Sequence, residues 1–282
     1  MASSPERIEV LDMRTRIFPA AKAIVFCAIY VFVYVITQFI GAIALMLPAL
    51  VGNGDYYTAI MGNLFSCMIY AMVASMGIYC FVSLCREKPL FDHMVNFRPI
   101  TTATAIDAVL AALALRGVVA VYTVVSENVP ILKESIENAP DTMAALDGPL
   151  KILLALAVVS VFAPIFEEIL FRGLVQSELC TVFPAWLSIL VSSLVFSIMH
   201  GLLFQSIFTF FCGLVMGWCF YRTGSMITSM IVHIAFNSSA LFQFAAYILP
   251  WPLLIVLVIL SLLLLRYALR GIAQEYPKTV IQ

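Results

Sequence analysis

Residues 163–173 read Ala163-Pro164-Ile165-Phe166-Glu167-Glu168-Ile169-Leu170-Phe171-Arg172-Gly173, inside an apolar segment that runs from Leu150 to Cys180. Charged groups in such a segment cost several kcal/mol and usually mark a functional position. Glu168 and Arg172 are four residues apart, so on a helix they share a face and can neutralise each other. Glu167 is turned about 100° away and has no partner at helical spacing. It is left able to serve as a general base.

The rest of the chain has the same apolar character. Of 282 residues, 63% are apolar and 11% charged, against about 45–50% and about 25% in soluble domains. That excess must face lipid, which predicts an all-α, polytopic membrane protein. About eight transmembrane helices are expected: Ala23–Leu47, Ala59–Leu84, Ala103–Val125, Leu150–Cys180, Ala185–His200, Phe204–Tyr221, Met226–Leu249 and Trp251–Leu269. Proline and glycine mark the breaks at Pro48 to Asp55, Arg86 to Pro99, Glu127 to Pro149 and Pro250 to Pro252. The first apolar run is too long for a signal-peptide core and is expected to stay as a helix. With Met-Ala-Ser-Ser at the start and Thr-Val-Ile-Gln at the end, neither myristoylation nor prenylation of the chain is expected.

Net charge is −1, so no basic stripe exists and a nucleic-acid partner is not expected. Seven cysteines with no CxxC give neither a disulfide framework nor a zinc-finger spacing. Twelve of the 15 basic residues fall on one side of the predicted helices, from Arg7, Arg14, Arg16 and Lys22 through Arg86, Lys88, Arg98, Arg172 and Arg222 to Arg266, Arg270 and Lys278. The positive-inside rule then places both termini in the cytoplasm. Glu127, Glu134, Glu137, Asp141 and Asp147 face outward. The organisation read is a cytoplasmic tail at 1–22, N-terminal helices and loops at 23–145, a core at 150–250, and a last helix with its tail at 251–282.

Two more polar positions stand out. The fifth apolar segment ends Phe196-Ser197-Ile198-Met199-His200, and the seventh holds His233-Ile234-Ala235-Phe236-Asn237, an imidazole and a carboxamide on one face. Glu167 and His200 lie roughly 20 and 24 Å from the turn near Thr181–Pro184, by helical rise. His233 is roughly 10 Å into its own helix. The three can meet if the hairpin tip protrudes into the cytoplasm, which predicts a catalytic cavity facing that side.

Glu-Glu-x-x-x-Arg (167–172), Phe-x-x-x-His (196–200) and His-x-x-x-Asn (233–237), in that order, resemble the three motifs of the CPBP family. That family contains the type II CAAX prenyl proteases and the bacterial CAAX protease self-immunity proteins. The likeness covers about residues 150–250. It implies an eight-helix intramembrane endopeptidase of glutamic type. Glu167 with His200 would activate a water, His233 and Asn237 would stabilise the oxyanion, and Glu168 and Arg172 would hold the arrangement. The implied substrate is the C-terminal tail of a membrane-associated or lipidated peptide at the lipid bilayer.

Other readings use the same residues. The resemblance leaves metal dependence open: Glu167, His200 and His233 offer a two-histidine, one-glutamate zinc set with an open fourth position, although HExxH is missing. Ser197 lacks a nucleophile elbow. Gly52-Asn53-Gly54-Asp55 reads as an extracytoplasmic turn, with no intramembrane aspartate opposite Asp55 to share a proton with. A transporter would show paired broken helices. A bacteriocin self-immunity or scaffold protein could keep the motifs and act by binding alone. Gly213-x-x-x-Gly217 reads as close helix packing. Arg116 lies mid-span, facing the interior, with no identified partner and a possible part in anchoring substrate. His93, beside Asp92, reads as an ordinary surface residue.

Overall fold

The computed structural model describes residues 17–51, 63–85, 94–139, 146 and 148–276. Arg7, Arg14, Arg16, the Gly52–Asp55 turn, Arg86, Lys88, Asp92, His93, Asp141, Asp147 and Lys278 lie outside the described residues. The described residues are helical, with no strand among them. The helices are α1 Phe18–Val51, α2 Leu64–Leu84, α3 Thr102–Ser126, α4 Pro130–Glu137, α5 Pro149–Cys180, α6 Ala185–Ile198, α7 Leu203–Thr223, α8 Met226–Ser238 and α9 Trp251–Glu275.

Six of these, α1, α2, α3, α5, α7 and α9, are long and apolar enough to cross a membrane, while α6 and α8 are shorter. Of the eight expected transmembrane helices, six reach that length among the described residues, while the fifth, short as expected, and the seventh do not. The first helix continues past Pro48 to Val51. The seventh stops at Ser238 instead of reaching Leu249, and a 3-10 segment, Ala240–Ile248, follows it. The cause is local. Arg116 Nη2 and Ser239 Oγ both donate to the Phe236 carbonyl, at 2.6 and 2.8 Å. Side-chain donors thus compete for a carbonyl that a continuing helix would use.

Helix α5 departs from α geometry twice, with π-helical turns at Val158–Phe162 and Ile169–Gln176 on either side of the two glutamates. Such turns recur at functional sites. In the first, Ala163 N–H bonds the Val158 carbonyl. The next donor in that register is residue 164, a proline, which has no N–H. The Val159 carbonyl is satisfied instead by Asn237 Nδ2 at 2.9 Å.

Packing around α5 positions the site. Tyr34 of α1 meets the Phe166 ring at 4.8 Å, and the Tyr79 hydroxyl of α2 donates to the Tyr30 carbonyl at 2.6 Å. Ser192 Oγ of α6 donates to the Phe171 carbonyl at 2.7 Å. Against α7, Arg172 Nη2 donates to the Gly213 carbonyl at 3.2 Å, and Gln176 Nε2 to the Gly217 carbonyl at 3.0 Å. Pairs four residues apart on both helices thus interlock, and at Gly217 this requires the bare glycine backbone. A Cβ on Gly217 would sit 2.7 Å from Gln176 Oε1 and 3.1 Å from Ile189 Cγ2. We expect Gly217→Ala to lower stability by about 1–3 kcal/mol through overpacking, read as an earlier thermal unfolding in detergent. An unchanged transition would show that α5 and α7 can move apart without loss. On the outer faces, Phe32, Phe39 and Ile43 of α1 and Ile255, Ile259 and Leu263 of α9 are exposed, as lipid-facing surfaces require.

Candidate active site

Glu167, His200, His233 and Asn237 line one cavity of about 370 Å³. They come from α5, the turn after α6, and α8. His200 lies just beyond α6, not inside a helix as expected. Gly201, at φ 76°, ends that helix in a left-handed turn that glycine adopts without steric cost.

Beneath the cavity lies a fully buried network. Arg172 Nη1 donates to Glu168 Oε1 at 2.8 Å, with side chains 1% and 0% exposed. The expected pairing of these two is present. The same oxygen lies 2.8 Å from His233 Nδ1. Since Oε1 accepts from Arg172, His233 Nδ1 is a donor to it as well. Phe196 fills the space between these groups. Its ring meets His200 at 4.7 Å and His233 at 5.8 Å, and the Arg172 guanidinium lies over it at 4.6 Å. The Phe196 carbonyl takes His200 Nδ1 at 2.9 Å, and a carbonyl can only accept, so that nitrogen carries the proton. The phenylalanine of Phe-x-x-x-His thus orients both imidazoles.

Glu167 is freer, as expected, with its side chain 17% exposed and its Oε2 3.6 Å from His233 Nε2. That separation exceeds hydrogen-bond length. With both Nδ1 atoms donating, neutral His200 and His233 present lone pairs at Nε2. An N–H at His233 Nε2 exists only in the imidazolium form. One N–H of Asn237 is held by Val159, which leaves its second N–H and its Oδ1 for a ligand. Among the described residues, no group of three His, Cys, Asp or Glu side chains gathers closely enough to hold a metal ion. Glu167, His200 and His233 do not form such a set in this arrangement.

The cavity also takes in residues that sequence reasoning left apart. Arg116, Gln205 and Gln243 line it. Arg116 was noticeable as a mid-span charge, whereas the two glutamines carried no signal beyond polarity. The seven cysteines are unpaired, as their spacing suggested.

The lining runs toward the end of the bundle where α7 begins and α8 ends. Gln205 near the start of α7 and Ala240 beyond α8 belong to it. Arg222, whose Nη2 donates to the Ala273 carbonyl at 3.0 Å, marks the opposite end. Between that basic end and the cavity, every residue of Ile169–Gln176 is buried.

Residues 149–239 match the family model for type II CAAX prenyl endopeptidase Rce1-like proteins. That segment contains all three motifs and every motif residue that lines the cavity. With six helices able to cross a bilayer, the chain is an integral, multi-pass membrane protein. No curated protein and no solved structure matches it.

Proposed function

We propose that this protein is an intramembrane endopeptidase that cleaves extended C-terminal tails of membrane-associated peptides, lipidated ones included, with a glutamate-activated water. The observation that carries this reading is the convergence of Glu167, His200, His233 and Asn237 on one cavity above a buried Glu168–Arg172 pair. A water there has two protons to donate, and the site offers two acceptors, the Glu167 carboxylate and the His200 Nε2 lone pair. Glu167 takes one proton as the water oxygen bonds the carbonyl carbon. That proton then passes to the leaving nitrogen as the C–N bond breaks. Asn237 and imidazolium His233 donate to the oxyanion in between. Glu168 holds His233 and Arg172 in place.

Hydrolysis of such peptides by the purified protein in detergent, with and without a strong chelator, tests this. Cleavage that ignores the chelator supports it. Loss with the chelator and recovery with zinc would replace it by a metal mechanism. Asn237→Ala should lower kcat about 10²-fold and cost about 1 kcal/mol of stability from the lost bond to Val159. Unchanged kcat would remove Asn237 from the oxyanion role.

A further inference from the structure

Arg116 is 6% exposed in the middle of a membrane-crossing helix, and no carboxylate among the described residues pairs with it. Its neighbours are neutral. Nε donates to Ser239 Oγ at 3.4 Å, Nη1 to Gln243 Oε1 at 3.1 Å and Nη2 to the Phe236 carbonyl at 2.6 Å. The guanidinium lies 3.8 Å from the centre of the Phe236 ring. These contacts cap the carbonyl end of α8, where a cation is favoured. They use three of the five N–H groups a guanidinium has, and the side chain lines the cavity that holds Glu167. By contrast, the other buried arginine of the site, Arg172, has a carboxylate at 2.8 Å. A guanidinium with no counter-ion among the described residues, within a membrane-crossing helix and with N–H groups to spare, has the means to receive an anion.

We propose that Arg116 binds the C-terminal carboxylate of the substrate and so sets which peptide bond lies over Glu167. This rests on the endopeptidase reading. A carboxylate matches the planar fork of arginine, and a chain end supplies one whatever its side chains are. Gln205 and Gln243, in the same lining, give neutral hydrogen bonds beside it.

The test uses a short N-terminally palmitoylated peptide with an apolar end, made as free acid and as carboxamide. Binding is measured to full-length Glu167→Gln protein in detergent, and cleavage by the wild type is measured in parallel. The free acid is expected to bind about 30-fold or more tighter than the amide. Arg116→Gln, in the same background, should erase that difference by weakening the acid alone, and Arg116→Lys should restore part of it. In cleavage, the loss for Arg116→Gln should fall on KM for the acid. Equal binding of acid and amide by the Arg116-containing protein overturns the proposal. So does an equal loss for both peptides in Arg116→Gln, which is what a purely structural cap on α8 would give. An amide-ended peptide with a glutamate near its end that binds as well as the acid also overturns it. Preference for the acid without cleavage of either peptide would leave the carboxylate site standing and reject the endopeptidase reading.

Discussion

Glu167→Gln is expected to abolish peptide hydrolysis, with a fall of about 10³-fold in kcat, while the protein extracts and melts like the wild type. The chemistry and the stability separate because of what Glu167 touches. Its nearest ionic neighbour is His233 Nε2 at 3.6 Å, too far for a hydrogen bond. The amide is nearly the same size, so no packing changes and no buried partner is stranded. What goes is the one carboxylate among the described residues that lines the cavity and can take a proton from water there. His200→Ala should behave the same way on activity, since it removes the second acceptor. Single-turnover cleavage with differential scanning fluorimetry on each variant separates the two effects. Residual hydrolysis within tenfold of wild type in Glu167→Gln would mean that another group is the base.

Glu168→Ala should lose activity and stability together, by about 3–5 kcal/mol. Its carboxylate is fully buried and holds two groups at once, Arg172 Nη1 at 2.8 Å and His233 Nδ1 at 2.8 Å. Removing it strands a guanidinium that keeps only the Gly213 carbonyl and the Phe196 ring. It also lets the His233 ring turn. The loss comes mainly from the unpaired charge and not from the missing pair. Replacing both members with apolar residues of similar size should therefore recover stability without recovering cleavage. Thermal unfolding of Glu168→Ala, Arg172→Ala and the double replacement tests this. Equal melting of Glu168→Ala and Glu167→Gln would sink the division between a working and a holding glutamate.

Much of the site was legible along the chain because its signals are chemical mismatches. Glu167, Glu168 and Arg172 are conspicuous in an apolar segment, and the four-residue spacing already implied the pair later found at 2.8 Å. His233 and Asn237 share a face by periodicity alone. Helix ends were less legible. The seventh helix has no breaker before Pro250, yet it stops at Ser238 because Arg116, 120 residues away, takes the Phe236 carbonyl. The π turns of α5 leave no pattern in hydropathy, since they change hydrogen-bond register and not which residues are apolar.

What the sequence determined by itself is the class: an all-helical membrane chain with one cluster of intramembrane charges, legible because lipid tolerates few polar residues and every exception shows. Only the tertiary structure decided how those residues are used. It tied both imidazole Nδ1 atoms to acceptors, gave Glu168 to His233 as well as to Arg172, buried every residue of Ile169–Gln176, and brought Arg116 into the same cavity as Glu167. The physical reason is that spacing fixes neighbours on one helix only. Which faces meet is set by close packing between helices, and here by the bare backbone at Gly213 and Gly217.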